Sequence, residues 1–389
     1  MTFKPASTAM ALILLIPAPA FADDAAADDG STIIVTGQVD GYRTIETTSG
    51  TKTNTPILDV PQSISVVTGQ QIADQQIRSV ADLVRYVPGI TSGTGEGNRD
   101  QVTLRGNNTT ADFFVDGLRD DVQYFRSFYN IDRVEVHKGA NAMVFGRGGG
   151  GGVINRITKG AVSDRSFYNG TLSADTFGSY YGAADVNATF GTAALRVNAF
   201  YEDLNNHRDA FGGERYAINP TIGAELGATK FELGYEYVRD NRVTDRGIPS
   251  AFTGTIAAPA GPLRGSRDTF FGVRGINDSD FEANVLRFRS ETELAEGLSF
   301  RTQALYGDYD KQYDNVFAVT AIGGTAAAPT VGIEAYIDPT TRKTLIGQAN
   351  LEWHVATGGI DHVILIGGEY TDQDSANERI NGFFSSTVL

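Results

Sequence analysis

The stretch FGRGGGGGVINRITKG, residues 145–160, places five consecutive glycines, Gly148 to Gly152, directly before a β-branched segment. The run from Gly146 formally satisfies the G-x-G-x-x-G pattern, but that pattern binds a dinucleotide only where a helix follows the glycines. Here residues 153–158 alternate in character and are rich in β-branched side chains, which predicts a strand, and no Lys-Ser or Lys-Thr pair completes a P-loop. We therefore predict that the glycines let one backbone segment pass close to another.

Upstream of the glycines, residues 55–160 show the pattern of a compact α+β domain. Thr68 and Gln71 form a capping box that predicts a short helix after a strand over residues 63–67. Ser79 begins a second helix, which Pro88-Gly89 ends. Further strands are predicted over residues 102–105, 113–115 and 131–137, with Asp116-Gly117 as a turn.

Two polar stretches of this domain, residues 92–101 and 119–130, are left as loops. They are rich in hydrogen-bonding and stacking side chains. Such loops suit a ligand-facing surface, and they are equally consistent with ordinary solvated connections.

After Lys159 the sequence changes to segments of about ten residues that alternate apolar and polar side chains, which is typical of transmembrane β-barrel strands. Leu233 and Tyr235 share one face of such a segment, while Glu232 and Glu236 share the other. A soluble β-sandwich also alternates, but charges of both signs within one strand favour a barrel with a polar interior. The candidate strands are residues 165–176, 181–191, 193–203, 215–226, 229–240, 282–295, 298–311, 342–356 and 361–373.

The N-terminus predicts export. Lys4 precedes an apolar run over residues 9–16, and Ala20-Phe21-Ala22 supplies the small residues of a cleavage site, so residues 1–22 are predicted to be a signal peptide. Residues 31–37 then form an isolated β-branched segment inside a polar region, residues 23–54. This segment suits addition to a partner's sheet edge, and an edge strand of the following domain is an equal alternative.

Composition excludes several classes of protein. The chain of 389 residues has no Cys and a net charge of −15, which argues against thiolate metal sites and against nucleic acid as a partner. The four His residues are far apart and have no carboxylate at metal-ligand spacing beside them. We found no nucleophile, base and orienting group at suggestive spacing, so we predict no catalytic residues, no metal site, no cofactor and no enzymatic activity.

Several short motifs, in order over about 130 residues, resemble the N-terminus and plug of a TonB-dependent outer-membrane siderophore receptor, closest to the catecholate branch. Each motif is weak alone and the ordered set is specific. The matching stretches are residues 33–37, 60–67, 104–106, 112–117 with 119–121, 130–136, 138–139 and the glycine run through Arg156.

The resemblance implies an α+β plug domain inside an antiparallel transmembrane β-barrel in the bacterial outer membrane. It implies that the periplasmic segment contains a TonB box, formed by Thr32, Ile33, Ile34, Val35, Thr36 and Gly37. The implied partners are the carboxy-terminal domain of TonB with its inner-membrane energising complex, outer-membrane lipid and a ferric siderophore as cargo.

By the same resemblance, residues 92–101 and 119–130 form the plug apex facing the exterior. Because a ferric catecholate is anionic and aromatic, the predicted ligand-binding residues are cationic or aromatic: Arg99, Arg119, Tyr124, Phe125 and Arg126. Arg105 and Arg133 are expected to lock the plug to barrel carboxylates. The other predicted structural positions of the plug are Gly106, Glu135, Lys138, Gly139, Gly148, Gly149, Gly150, Gly151 and Gly152.

The length departs from the family pattern. Plugged barrels of this type have about 22 strands, whereas residues 161–389 supply nine candidates. We therefore expect an incomplete barrel, from an amino-terminal fragment or a truncated product. Alternative functions are the same transporter with haem, cobalamin or carbohydrate as cargo, a passive pore or adhesin, and a non-transporting product.

Overall fold

The computed structural model describes residues 39–384, apart from residues 45, 48, 147 and 326. The predicted signal peptide (residues 1–22) and the predicted TonB box (Thr32 to Gly37) lie outside these described residues. Two regions follow one another along the described part of the chain. They are a plug of short elements up to residue 158 and a wall of long strands from residue 167.

The plug contains twelve short strands and three short α-helices among its described residues. Its strands are β1 (Val39–Asp40), β2 (Arg43–Thr44), β3 (Glu46–Thr47), β4 (Thr55–Pro56), β5 (Ser63–Thr68), β6 (Ile90–Ser92), β7 (Val102–Leu104), β8 (Asn107–Thr109), β9 (Phe113–Val115), β10 (Leu118–Arg119), β11 (Ile131–Lys138) and β12 (Gly152–Thr158). Its helices are α1 (Gly69–Asp74), α2 (Val80–Leu83) and α3 (Ala142–Phe145). The predicted strands and helix starts are confirmed, with ends that differ by one or two residues.

The plug is organised around a five-stranded sheet in the order β10-β9-β12-β11-β5, in which β9 and β12 are parallel and the other pairs are antiparallel. The predicted helix cap is present, since the Thr68 hydroxyl accepts a hydrogen bond from the backbone N–H of Gln71. Leu83 from α2 and Leu104 from β7 are fully buried against the sheet residues Val134 and Ile154. Apolar burial of this kind stabilises the plug by roughly 1.5–3 kcal/mol per large side chain.

The glycine run has the predicted role of close backbone approach. A Cβ atom at Gly151 would overlap the carbonyl oxygen of Leu104, and one at Gly152 would overlap that of His137. Gly152 also has a φ of 142°, which L side chains rarely adopt. The glycines therefore let β12 begin directly beside β11, and a strand rather than a helix follows them.

The wall is an antiparallel sheet whose long strands pair in chain order. They are β13 (Phe167–Ala174), β14 (Tyr180–Phe190), β15 (Ala193–Leu204), β16 (Gly213–Leu226), β17 (Thr229–Arg242), β18 (Asp278–Ala295), β19 (Leu298–Ala318), β23 (Thr340–Thr357) and β24 (Ile360–Asn377). Each corresponds to one predicted strand. The stretch 312–340, which lies between two of the predicted strands, contains the end of β19 and three short strands: β20 (Gly323–Thr325), β21 (Ala328–Thr330) and β22 (Ile333–Ile337). Strand β25 (Ile380–Gly382) pairs with β22.

The connections at the two ends of the wall strands differ in length. At one end, which we call the short-turn side, the strands are joined by four tight turns of two residues, at 191–192, 227–228, 296–297 and 358–359. At the other end, which we call the long-loop side, they are joined by longer connections, including residues 243–277. Outer-membrane barrels show this asymmetry.

The two faces of the wall differ as the alternation predicts. Leu233 and Leu286 each expose 44% of their surface on the outer face. On the inner face, Arg287 pairs with Glu236 at 2.7 Å and Arg289 pairs with Glu232 at 2.6 Å. The wall therefore presents an apolar outer surface and a charged inner surface toward the plug. Within the described residues, no helix has the length and apolar character needed to cross a membrane.

Candidate ligand site at the plug apex

The plug loop over residues 92–101 reaches the long-loop side of the wall. A short turn at residues 95–97 brings Gly97 so close to the segment after β17 that a Cβ atom at Gly97 would lie 2.5 Å from the carbonyl oxygen of Asp245. The neighbouring Glu96 carbonyl accepts a hydrogen bond of 3.0 Å from the Tyr313 hydroxyl of β19. This loop is therefore held where the long connections of the wall begin.

Glu96 organises a cluster of polar and aromatic side chains at this point. Its carboxylate pairs with Arg99 at 3.0 Å and accepts a hydrogen bond of 2.9 Å from the Tyr336 hydroxyl. Arg246 lies 3.8 Å from the same carboxylate. Burial alone raises the pKa of the Glu96 carboxyl, but Arg99, Tyr336 and Arg246 together hold this pKa below its ordinary value. We call Glu96, Arg99, Arg246, Tyr313 and Tyr336 the apex cluster.

Arg246 is the centre of the aromatic part of the cluster. Its guanidinium carbon lies 3.7 Å from the centre of the Phe317 ring, and Nη1 donates to the Tyr336 hydroxyl at 2.8 Å. Its side chain still exposes 23% of its surface. Arg379 directly precedes β25, and its guanidinium carbon lies 3.9 Å from the centre of the Tyr336 ring. Its side chain is 53% exposed. Two arginines therefore present accessible guanidinium groups beside aromatic rings.

The charge balance of this region is opposite to that of the chain. Three arginines meet in and around the apex cluster, namely Arg99, Arg246 and Arg379, and two carboxylates, Glu96 and Asp338, pair with them. The chain as a whole carries a net charge of −15. A local excess of cations on an acidic protein produces a positive potential that is favourable for anions.

Lys311 ties the two plug loops to the wall. Its buried ammonium donates to the side-chain oxygen of Asn98 at 2.6 Å and to the backbone oxygen of Gln123, also at 2.6 Å. Asn98 belongs to the first plug loop and Gln123 to the second. One side chain of β19 thus fixes the relative position of residues 92–101 and 119–130.

The second plug loop is held by a buried ionic network. Arg126 has no exposed surface. It donates to Asp120 at 2.9 Å, lies 3.5 Å from Asp100, and also donates to the backbone oxygens of Asp120 and Val122. Arg156 donates at 2.5 Å to the same Asp120 oxygen. Burial raises the pKa of Asp120, but the charges of Arg126 and Arg156 outweigh this effect and hold it below the ordinary value.

This network corrects two of the predicted ligand contacts. Arg126 is enclosed by its plug partners and cannot reach a ligand in this conformation. The Tyr124 ring stacks on Phe281 with centres 4.6 Å apart, lies under the Arg126 guanidinium, and uses its hydroxyl to donate to Asp120. Both residues organise the loop, because their polar groups are already used inside the protein.

The other three predicted ligand residues lie outside this buried network. Arg99 belongs to the apex cluster. Phe125 lies nearby and is half-buried under the Arg242 guanidinium, 4.3 Å from its ring centre. Arg119 is turned away, toward the Phe114 ring at 4.9 Å and the backbone oxygen of Ala111. The ligand roles of Arg99 and Phe125 stay predictions.

The predicted lock between plug arginines and wall carboxylates is wrong in its partners. Arg133 pairs inside the plug with Glu135 at 2.8 Å, because residues two apart on β11 point to the same face. Arg105 occupies the exposed turn between β7 and β8, with a φ of 47°, next to Gly106 and beside Gly139. Lys138 likewise stays within the plug and donates to the Ser65 hydroxyl at 2.8 Å.

Sequence reasoning missed the residues that the wall contributes. All four of these residues lie between the predicted strands: Arg246, Tyr313, Phe317 and Tyr336. No local pattern marks them, because only the pairing of β19 with β22 brings Tyr336 opposite Asn315 and next to the plug. Among the described residues, no three His, Asp or Glu side chains are grouped to hold a metal ion.

Comparison with known proteins connects this geometry to a family. The family model described as TonB-dependent Receptor Plug Domain matches residues 56–153. The Catecholate siderophore receptor Fiu of Escherichia coli K12 is 29% identical over 384 residues, which cover 91% of this chain and 49% of that protein. The Probable TonB-dependent receptor BfrD of Bordetella pertussis is 33% identical over 309 residues, covering 77% and 41%.

Solved structures agree with the fold. The crystal structure of the siderophore receptor PiuA from Acinetobacter baumannii matches with a TM-score of 0.76 and 26% identity, over 85% of this chain and 50% of that one. The open form of the ferric-catecholate import receptor Fiu from E. coli K12 matches with a TM-score of 0.73 and 26% identity, over 83% and 51%. The chain spans about half the length of the relatives that it matches.

Proposed function

We propose that this chain, which carries the plug domain of the TonB-dependent receptors and strands of their barrel, belongs to an outer-membrane receptor that takes up a ferric siderophore of the catecholate type. The relatives are named as siderophore or TonB-dependent receptors, and one of them, Fiu, is named for catecholates in both its sequence and its structure. The proposed activity is binding and transport, without a chemical reaction.

The observation that carries this proposal is the apex cluster. A ferric catecholate is an anion built from aromatic rings. Guanidinium groups attract the negative charge, and the same groups together with tyrosine rings provide stacking surfaces. Arg246 and Arg379 combine exposed charge with ring contacts, and both lie on the long-loop side, where an external ligand would arrive.

The proposed partner is the carboxy-terminal domain of TonB, and the proposed location is the outer membrane. Support for the partner comes from the β-branched segment Thr32 to Gly37, whose composition suits pairing with a sheet edge. Support for the location comes from the apolar outer face of the wall, since a surface of exposed Leu, Ile and aromatic side chains at every second position suits lipid.

The experiment that tests the proposal measures ligand binding and uptake separately. Purified protein is titrated calorimetrically with a ferric tris-catecholate, and with an uncharged ferric hydroxamate as the matched control. We expect the anionic catecholate to bind more tightly and its affinity to fall as salt increases, because the attraction is electrostatic. Equal affinity for both complexes, or no salt dependence, would contradict a catecholate cargo.

Uptake is tested in cells that depend on the protein expressed from its own gene. Val35→Pro removes a backbone donor from the predicted TonB box and breaks strand pairing. We expect iron uptake to be lost while ferric catecholate binding stays intact. Uptake that persists in the Val35→Pro variant would favour a passive pore.

A further inference from the structure

Two hairpins on the long-loop side are built from stretches of sequence without charge. The first hairpin belongs to residues 247–263 and the second to residues 315–333, and neither stretch contains Asp, Glu, Lys or Arg. In the whole chain, by contrast, 20% of the residues are charged. Charge also returns directly after the first stretch, at Arg264, Arg267 and Asp268. The lack of charge is therefore a local property of the two hairpins.

The two hairpins share a sequence motif and a turn. The motif Gly-Thr-x-Ala-Ala-Pro occurs once in each stretch. In the first hairpin, the backbone N–H of Ala258 donates to the Thr255 hydroxyl at 3.0 Å, and the Thr255 N–H donates to the Ala258 carbonyl oxygen at 2.8 Å. In the second hairpin, the N–H of Ala328 donates to the Thr325 hydroxyl at 3.2 Å, and these two residues are paired between β20 and β21. The same short motif thus forms the same tight turn twice.

The hairpins expose apolar side chains. Ile256, in the turn of the first hairpin, is fully exposed, and Phe252 in the same hairpin is 48% exposed. Val319, at the start of the second hairpin, is 44% exposed. Surface connections are ordinarily polar, and a group of exposed apolar side chains is typical of a surface that binds a partner.

Both hairpins adjoin the apex cluster. The first begins at Ser250, shortly after Arg246, and the second lies between Phe317 and Tyr336. Arg246 contacts both of these aromatic residues. The bases of the two hairpins are joined by a hydrogen bond of 2.9 Å from the backbone N–H of Ile322 to the backbone oxygen of Ser250. An uncharged, apolar surface therefore lies next to a cationic, aromatic one.

Membrane lipid does not account for the apolar hairpins, because acidic side chains separate them from the apolar band of the wall. Leu286 of β18 and Tyr306 of β19 face outward, and every second residue toward the long-loop side shares that face. Carboxylates on this face are unfavourable in lipid hydrocarbon. Along both strands, these acidic positions come between the apolar band and the hairpins: Asp278, Asp280, Glu282, Asp308, Asp310 and Asp314.

We propose that the two hairpins bind the apolar chain of an amphiphilic ferric siderophore, in which an anionic ferric catecholate head group carries an acyl chain. This inference rests on the proposed function, in which the head group binds at the apex cluster. A ligand with a charged, aromatic head and an apolar chain matches the two neighbouring surfaces. Each methylene of the chain that is buried against the hairpins strengthens binding roughly fourfold.

The test compares two synthetic ferric tris-catecholates of equal charge, one with an acetyl group and one with a hexanoyl group at the same position. Purified protein is titrated calorimetrically with each complex. We expect the hexanoyl complex to bind at least about tenfold more tightly, since its chain has four more methylenes and burial of two of them is sufficient for that factor. In the variant that combines Phe252→Ser with Ile256→Ser, we expect the ratio of the two affinities to fall to about one.

The matched control is Phe177→Ser. Phe177 lies in the connection between β13 and β14, also on the long-loop side, and is 52% exposed. We expect this variant to keep the parental ratio of affinities. A ratio that the hairpin variant leaves unchanged would overturn the proposal, because the chain then binds elsewhere on the protein or enters the detergent. Where the double variant does not accumulate, Ile256→Ser alone tests the same surface, since its side chain is fully exposed.

The same titrations separate this proposal from the proposed function. If the parent binds both complexes with equal affinity, a catecholate cargo stands and the apolar site is rejected. If only the hexanoyl complex binds, and the hairpin variant abolishes that binding, the apolar site stands and the apex cluster is not the site of the head group. Binding of neither complex would overturn both proposals. A change in the oligomeric state of the hairpin variant, measured by sedimentation, would assign the hairpins to contact with a second copy of the chain and overturn this one.

Discussion

Arg126 and Arg246 both place a guanidinium over an aromatic ring at the long-loop side of the plug, and their surroundings are opposite. Arg126 lies 4.0 Å from the centre of the Phe113 ring, has no exposed surface and is surrounded by acceptors of its own loop. Arg246 lies 3.7 Å from the Phe317 ring, belongs to the wall and keeps 23% of its side chain exposed.

The difference shows which arginine can act on a ligand. A guanidinium has five donors in a fixed plane, so one that is enclosed by acceptors organises the protein and has none left for a ligand. An arginine that stacks on one face and keeps an open edge is positioned for recognition. Both residues are loop arginines at the level of sequence, one in the plug and one in the wall, and their burial separates them.

The variant that tests the organising arginine has the largest expected effect. Arg126→Ala leaves the buried carboxylates Asp100 and Asp120 with fewer partners, which should lower the free energy of unfolding by roughly 3–5 kcal/mol. The control is Arg85→Ala, whose side chain is 72% exposed and forms an ion pair with Asp82 at 3.7 Å. We expect that control to change stability by less than about 0.5 kcal/mol. The measurement is the midpoint of denaturant unfolding, and equal midpoints for both variants would contradict the organising role.

Lys311 is a wall residue whose hydrogen bonds hold both plug loops. Lys311→Met keeps the length of the side chain and removes the donors to Asn98 and Gln123. We expect a loss of about 1–3 kcal/mol in stability, because buried acceptors of both loops are left without this donor. Hydrogen exchange should become faster in residues 92–101 and 119–130 together.

The matched variant is Lys343→Met, on β23, whose ammonium is 63% exposed and pairs with Asp308 at 3.7 Å. It should leave exchange in both loops unchanged. If Lys311→Met frees only one loop, the two loops are held independently and the assignment of a shared anchor is wrong.

Arg246→Ala tests the proposed ligand contact of Arg246. We expect it to lower stability less than Arg126→Ala does and to weaken ligand binding. Loss of an exposed guanidinium that stacks and pairs should weaken ferric catecholate binding about tenfold, since such contacts contribute roughly 1–2 kcal/mol. Arg264→Ala is the control, because Arg264 is exposed in the same long connection. The measurement is calorimetric titration in moderate salt. Equal affinities for the two variants would remove Arg246 from the proposed site.

The sequence predicted the fold better than the site for a physical reason. Strand alternation is a local property, and each of the nine long strands was found from residues that are neighbours in the chain. The role of the glycine run was also predicted from the sequence. At Gly152 the backbone has a φ of 142° and lies close to other backbone atoms, and glycine is the residue that tolerates both conditions. Both features are recorded in short stretches of sequence.

The apex cluster depends on contacts between distant residues. Tyr336 meets Glu96 across 240 positions in the chain, and Lys311 meets Asn98 across 213. Arg126 is a different case, because its carboxylate partners Asp100 and Asp120 are only 26 and 6 positions away. They lie in plug loops whose folding the sequence did not predict. Charge and aromaticity selected these loops in the sequence, but they do not determine which of the side chains are buried.

The final prediction uses pH to separate the enclosed network from its neighbours, and its effect is the smallest. The pKa of Asp120 is held below its ordinary value by Arg126 and Arg156 in spite of burial, so its ionised form stabilises the folded protein. This contribution is fully present above the ordinary pKa of about 3.9 and is lost as the pH falls through the lower folded value. The pKa of Asp100 is raised, chiefly by burial, so its contribution has the opposite sign and partly cancels the effect in the parent protein.

The comparison that isolates Asp120 is therefore the parent against Asp120→Asn at each pH. Asn keeps the shape of the side chain and has no charge at any pH. We expect the parent to be the more stable protein from pH 5 to 7, and the difference between the two to shrink steadily below about pH 4 as Asp120 becomes protonated. A difference that stays constant across this range would mean that the stabilisation comes from hydrogen bonding to the side chain, and that the charge at the centre of the network contributes nothing to it.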